Sequence, residues 1–139
     1  MDAKWMLLAM LAQVLLTGYV TVVMRRRRVH AVTVEGLDPL YFKTREVGEP
    51  PRKMLQADLL FENLFETPVI FFAGGLAAMA LGLVDEVLLV LASLYVVCRI
   101  MHANEVLGRN SIRKRFPPWT VSLFTLAGFW LWLTFKAFI

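Results

Sequence analysis

Hydrophobic and polar positions divide the chain into four apolar runs separated by charged segments. The first covers 5–24, about 20 residues without a charge, which is the length of a helix that crosses a bilayer. The third run is short by itself but continues as a helix through Arg99 and His102, and the fourth is predicted to carry Pro117 and Pro118 in its first turn, where proline is tolerated. The pattern predicts a polar loop at about 25–54 and four transmembrane helices at about 4–24, 55–84, 86–104 and 118–138.

The first run has a second interpretation, as the apolar core of a secretory signal peptide that follows Lys4. It is longer than such a core, and four arginines at 25–28 stand where a cleavage site of small residues would be needed. We therefore predict a retained transmembrane helix.

Composition supports a membrane protein over a soluble one. Of the 139 residues, 58% are hydrophobic and 19% are charged, whereas soluble domains average about 45–50% apolar residues. A chain this short has too much surface for its volume to bury so many apolar side chains away from water. We therefore predict an all-α integral membrane four-helix bundle that forms one domain over 1–139.

The net charge of +4 does not indicate a nucleic-acid-binding protein, because the basic clusters adjoin apolar runs instead of forming a separate basic face. Cys98 is the single cysteine and the chain has two histidines, so neither a disulfide nor a metal site is predicted.

The distribution of lysine and arginine predicts the orientation. These residues are concentrated in the segments after the first and third helices, and few lie near either terminus. The positive-inside rule then places 29–56 and 103–117 in the cytoplasm and both termini outside. The predicted location is a cell membrane, such as a bacterial inner membrane, which the chain would cross four times.

Ionisable residues follow one face of the second helix and one face of the third. Asp58, Glu62 and Glu66 are spaced four apart, so they share a helix face. The third helix carries a similar stripe: Tyr95, Arg99, His102 and Glu105. Because a carboxylate near the hydrocarbon is costly to leave unpaired, we expect Arg99 to contact Glu62 or Glu66. Such groups indicate either a functional site or ion pairs that only fix helix register.

Several of these residues form a pattern that resembles a known family. The segment 61–72, which contains Asn63-Leu64-Phe65-Glu66-Thr67-Pro68, is the most specific part, and Arg99-x-x-His102 is the second. Together with Asn110 and Arg113, they resemble the MAPEG superfamily, the membrane-associated proteins of eicosanoid and glutathione metabolism, with the greater likeness to its bacterial members. The resemblance covers almost the whole chain. It implies a left-handed four-helix protomer, a homotrimer, and a glutathione site between subunits that opens toward the cytoplasm.

The resemblance also implies roles for individual residues. In glutathione-using members, helix two carries an Arg, an Asn and a Glu that hold the tripeptide, and an Arg near the start of helix four stabilises the thiolate. Carried onto this sequence, the candidate catalytic residues are Arg99, Arg113 and Arg115. The candidate ligand-binding residues are Asp58, Glu62, Asn63, Glu66, Tyr95 and His102.

The chain departs from the family pattern in three places. No arginine stands in register before Asn63, since Arg52 and Lys53 lie further back. His102 occupies the position where a tyrosine is expected. Arg113 and its neighbour Arg115 precede the prolines, in a predicted loop instead of the fourth helix.

The function that follows is a glutathione-dependent transferase or peroxidase acting on lipophilic electrophiles. One alternative is a non-catalytic membrane protein that binds a lipophilic small molecule, and a second is a purely structural bundle. An interior arginine near the carboxylate stripe separates these classes, because an enzyme or an anion-binding protein needs it and a structural bundle does not.

Overall fold

The structure is a computed structural model that describes residues 3–139, and within this range it contains helices and no strand. A short helix, α2 (Tyr41–Thr44), lies in the segment after the first long helix. The remaining helices are α1 (Lys4–Thr33), α3 (Arg52–Asn63), α4 (Thr67–Ala80), α5 (Glu86–Leu107) and α6 (Ile112–Ala137). The predicted all-α fold is confirmed.

Four helical segments in the described range are long and apolar enough to span a membrane, with α3 and α4 together forming the second. α1 packs against α3, α4 and α5, whereas α6 packs against α4 and α5. Large apolar side chains such as Leu15, Phe124 and Leu131 remain exposed on the outside of the bundle. This surface suits lipid, in which helices satisfy their own backbone hydrogen bonds and apolar side chains face outward. We call the end with 81–85 the turn end and the end with 25–51 and 108–111 the basic end.

The first helix continues to Thr33 instead of ending near 24. Arginine has a high helix propensity, and the side chains beyond the apolar run hold this extension against its neighbours. Arg27 donates from Nη1 to the carbonyl of Lys53 at 2.8 Å and from Nη2 to the carbonyl of Leu107 at 2.6 Å. The predicted loop at 25–54 is therefore shorter, covering 34–51. Within it, Leu37 and Tyr41 pack with Ala31 of α1 and Met54 of α3 in a small apolar cluster.

The second transmembrane segment is broken, in contrast to the continuous helix predicted over 55–84. α3 ends at Asn63, and α4 begins at Thr67 with Pro68 in its first turn. Proline has no N–H to donate to the carbonyl four residues earlier, which is that of Leu64. The turn at 64–66 therefore separates the two helices.

The fourth helix begins at Ile112, so Pro117 and Pro118 lie inside it and not in its first turn. They remove the intrahelical hydrogen bonds to the carbonyls of Arg113 and Lys114, both of which have exposed side chains in the first helical turn. Because the helix already begins at Ile112, Arg113 and Arg115 belong to it and not to a loop.

The interior contains two apolar clusters at different depths. The larger one, toward the turn end, includes Phe71, Tyr95 and Phe129, and the smaller one, toward the basic end, joins α1, α3 and α5. α4 approaches α6 closely at Gly74, where a Cβ atom would lie 2.8 Å from a ring carbon of Phe129. Polar side chains fill the layer between the two clusters.

Candidate functional site

Arg99 is the central side chain of this polar layer and is only 1% exposed. Its Nη2 donates to the side-chain Oδ1 of Asn63 and lies 3.5 Å from the Asn63 backbone oxygen. Asn63 is the last residue of α3, and its carbonyl also accepts a long hydrogen bond of 3.4 Å from the backbone N–H of Glu66 in the turn. Arg99 is therefore held by an amide group at the break.

The expected ion pair between Arg99 and Glu62 or Glu66 is wrong. Glu62 is exposed and accepts a hydrogen bond from Arg45. Glu66 is exposed too, and its Oε2 accepts from Nδ2 of Asn63 at 3.2 Å. The prediction assumed one unbroken helix, and the turn at 64–66 removes the shared face on which it relied. Asn63 instead connects Arg99 to Glu66.

Two side chains in the layer have polar atoms without hydrogen-bond partners among residues 3–139. These atoms are Nε and Nη1 of Arg99 and both amide atoms of Gln13. Gln13 comes from α1 and is fully buried. Sequence reasoning missed it, although an amide within an otherwise apolar transmembrane run is a signal of an interior position. Because unpaired buried polar atoms are costly, this layer has unused capacity for hydrogen bonds.

Tyr95 lies on the turn-end side of the layer. Its ring stacks on Phe71 with 4.7 Å between centroids, and its hydroxyl donates to Oγ1 of Thr67 at 3.3 Å. Thr67 begins α4, so this bond connects α5 to the second half of the broken helix. Tyr95 is almost fully buried and supports the layer from within the bundle.

A cavity of about 420 Å³ opens between α3, α5 and α6 toward the basic end. Its polar wall combines three predicted site residues, Asn63, His102 and Arg115. Its remaining wall is apolar and aromatic: Leu59, Leu60, Val106, Ile112, Phe116 and Trp119. A pocket of this size, apolar with a few convergent polar groups, is typical of a small-molecule site.

Hydrogen bonds fix the polar side chains of this cavity. Nδ1 of His102 donates to the carbonyl of Arg115 at 3.0 Å, so in the neutral ring Nε2 is the acceptor. Arg115 donates from Nη1 to Oδ1 of Asn110 at 2.7 Å. Asn110 has φ +53°, a left-handed conformation that asparagine tolerates in turns. The turn between α5 and α6 thus orients the arginine.

The other predicted site residues lie away from the cavity. Asp58 is buried, 3% exposed, and its Oδ1 accepts from Nε of Arg28 at 2.9 Å. Arg113 is exposed in the first turn of α6. Residues 3–139 contain no cluster of three or more His, Cys, Asp or Glu side chains arranged to hold a metal ion.

An antiparallel bundle of four membrane-length segments, with apolar side chains outside and a polar layer inside, is a multi-pass membrane protein. A family model described as the MAPEG family matches residues 3–135, nearly the entire chain. The chain therefore belongs to the MAPEG family. Comparisons with curated proteins and with solved structures gave no match.

Proposed function

We propose that the protein binds glutathione in the cavity between α3, α5 and α6 and activates its thiol for attack on a lipophilic electrophile. The observation that carries this proposal is the lining of that cavity, where Asn63, His102 and Arg115 face an apolar and aromatic wall. A charged, polar tripeptide and an apolar substrate need these two surfaces side by side. Family membership supports the same chemistry.

In this proposal Arg115 is the catalytic cation. A guanidinium next to a thiol lowers the thiol pKa, so that the thiolate, which is the nucleophile, is present at neutral pH. The sulfur then forms a bond to an electrophilic carbon, and the leaving group departs with its electron pair. With a lipid hydroperoxide, the sulfur would attack the terminal oxygen, the O–O bond would break, and the lipid would leave as an alkoxide that is protonated to the alcohol. A second glutathione thiol would then convert the sulfenic acid to a disulfide and water.

Arg99 acts as a positioning residue in this scheme. It lies behind Asn63 and does not line the cavity. By holding the Asn63 amide, it fixes one polar wall of the site. Arg113, exposed and outside the cavity, has no role in the proposal.

We further propose that the protein is a homotrimer and that the site is completed between subunits. Glu66 supports this, because it is an exposed carboxylate within the second transmembrane segment. The 14 residues of α4 put it about 21 Å from the turn end, inside a hydrocarbon layer about 30 Å thick. A charge facing lipid at that depth is costly, and a neighbouring subunit would cover it. A monomer in native mass spectrometry would contradict this.

The proposed orientation has both termini outside and the basic end in the cytoplasm of a cell membrane, as the positive-inside rule predicts. A reporter that is active only outside the cytoplasm should be active when fused after Ile139 and inactive when inserted at 34–51. The reverse result would overturn the orientation.

Calorimetric titration of the detergent-purified protein with glutathione tests the binding step. Arg115→Ala should weaken binding at least about tenfold, equivalent to about 1.4 kcal/mol, because a charge-assisted hydrogen bond is lost. Arg109→Ala removes an exposed arginine at the same end and should leave binding unchanged. Absent binding of glutathione, with binding of fatty acids, would instead favour the non-catalytic alternative that the apolar wall also allows.

A further inference from the structure

A second and larger cavity, of about 600 Å³, lies at the basic end between the last turns of α1 and the start of α3. Permanent cations dominate its lining: Arg26, Arg27, Arg52 and Lys53. One carboxylate, that of Glu35, lines it too, but its Oε1 is bonded to Nδ1 of His30 at 2.9 Å. This basic cleft shares no lining residue with the proposed glutathione cavity.

Within the part of the chain that the structure describes, the charges of the basic cleft are not balanced. Arg27 donates there to the carbonyls of Lys53 and Leu107. Among residues 3–139, no carboxylate forms a salt bridge with any of the four cations. Four like charges around one cleft repel each other, and an anion that enters it relieves that repulsion.

The first turn of α3 adds to the positive potential. This helix has 12 residues, begins at Arg52 and has Pro51 as its N-cap, with no side-chain cap and no acidic residue in its first turn. Its first N–H groups are therefore unpaired, and the positive end of the helix dipole lies at the wall of the cleft. Helix N-termini of this kind bind phosphate groups.

The depth of the cleft and a neighbouring groove indicate the source of the phosphate. Only Arg25 separates Arg26 from the apolar run at 5–24. About 20 helical residues rise about 30 Å, which is the thickness of the hydrocarbon core, so Arg26 lies at the level of the lipid headgroups. A groove of about 540 Å³ shares Arg26 and His30 with the cleft and continues past Val29 to Val22. Arg25 and Thr33 line this groove too. Val22 is half-exposed within the transmembrane run, so the groove leads along Val29 and Val22 from the cleft to the bilayer.

We propose that the basic cleft binds the phosphate of an anionic phospholipid, whose acyl chain follows the groove along Val29 and Val22. Arg26 and Arg52 contact the phosphate from opposite walls, and the first turn of α3 donates backbone N–H groups to it. The arginine block thereby forms a lipid site in addition to its effect on topology. Basic pockets between transmembrane helices recognise anionic headgroups in this way.

Binding of short-chain phosphatidylglycerol to the full-length protein in neutral detergent, measured by native mass spectrometry, tests this proposal. The double variant Arg26→Gln/Arg52→Gln should weaken binding about 25-fold, from the loss of two charges near the membrane surface. The matched control Arg109→Gln/Lys114→Gln removes two exposed cations at the same end, outside the cleft, and should retain wild-type binding.

Binding measurements with other ligands distinguish a lipid site from a phosphate site and from diffuse attraction. Phosphatidylcholine of the same chain length, and inorganic phosphate alone, should each bind far more weakly than phosphatidylglycerol. Equal losses in the two double variants would mean diffuse attraction. Equal binding of inorganic phosphate would mean that the cleft does not require a lipid. Equal binding of phosphatidylcholine, whose choline cancels the charge of the same phosphodiester, would mean that the net negative charge of the headgroup is not what is recognised. Any of these results overturns the proposal. If the double variant does not fold, Lys53→Gln tests the same cleft with one charge removed and an expected loss of about fivefold.

Discussion

At the turn end, the Asp85 carboxylate accepts hydrogen bonds from three donors. At the basic end, by contrast, cations outnumber the carboxylates that could pair with them. The Asp85 carboxylate caps α5 by accepting from the Leu88 N–H at 2.9 Å. Its other oxygen accepts from Nε1 of Trp132 at 3.0 Å and from Nζ of Lys136 at 2.8 Å. The turn end is thus neutralised within the chain, and the basic end leaves positive charge available to anions from outside it.

The pKa of Asp85 reflects this closed arrangement. Partial burial acts to raise the pKa of its carboxyl group, but the hydrogen bonds from Leu88, Lys136 and Trp132 outweigh burial and lower it below the usual value. Asp85 is therefore a carboxylate at neutral pH and joins α5 to α6. The difference between the ends suggests that the turn end contributes to stability and the basic end to binding.

The largest expected effect is at the turn end. Asp85→Ala removes a helix cap and two charge-assisted hydrogen bonds, so the free energy of unfolding should fall by about 3 kcal/mol. Denaturant unfolding in detergent measures this. The matched control is Glu86→Ala, which removes an exposed neighbouring carboxylate and should cost far less. A small loss at Asp85 would show that the cluster is not a structural anchor.

The next effect tests an ion pair at the basic end in which only the carboxylate is deeply buried. Arg28→Ala leaves the buried Asp58 carboxylate without its cation and should cost about 2 kcal/mol, since Arg28 is partly exposed. Adding Asp58→Asn should recover part of the lost free energy of unfolding. The control Arg25→Ala, at an exposed position in the same arginine block, should leave the free energy of unfolding nearly unchanged. Equal losses in Arg25→Ala and Arg28→Ala would remove the distinction between anchored and free arginines.

Acid should weaken the turn end specifically. Because the folded-state pKa of Asp85 is below that of the unfolded chain, about 3.9, its stabilisation is present above that pH and is lost as the pH falls through the folded pKa. The melting temperature of the wild type should therefore fall more steeply between about pH 5 and pH 3 than that of Asp85→Asn. Parallel curves would mean that Asp85 does not contribute to the acid response.

The smallest effect is expected at Arg45. Its hydrogen bond to the Glu62 carboxylate raises the pKa of the guanidinium, but both side chains are about half exposed. Exposed ion pairs contribute little to stability. Arg45→Ala should leave the melting temperature unchanged, and a clear decrease would show that the 34–51 segment is more tightly bound to α3 than this pair indicates.

The first transmembrane segment was predictable because twenty apolar residues in succession have few alternatives to a bilayer, and the shorter third run was predictable because its pattern continues as a helix. The break at 64–66 was not, because its cause is a single residue, Pro68, inside an apolar run. That break moved Glu62 and Glu66 off the shared face on which the expected Arg99 ion pair depended. The extension of α1 to Thr33 was missed for a related reason, since the contacts of Arg27 and Arg28 that hold it are tertiary and leave no periodic signal in the sequence.

Among the candidate site residues, sequence reasoning identified Asn63, His102 and Arg115, which the fold brings to one cavity. Sequence reasoning could not tell which of Arg113 and Arg115 faces the cavity. Positions two apart on a helix point to different sides, but the helix that contains both residues was predicted to begin later than Ile112. Gln13 and Thr67 were overlooked, since neither is ionisable and their importance comes from burial.

The central claim is that Arg115 stabilises the thiolate of bound glutathione, and ultraviolet difference absorbance at neutral pH reports this thiolate directly. Mixing glutathione with the wild-type protein should produce a thiolate band, and the band should disappear in Arg115→Ala while persisting in Arg109→Ala. No band with the wild-type protein at saturating glutathione, or an undiminished band in Arg115→Ala, would contradict the claim.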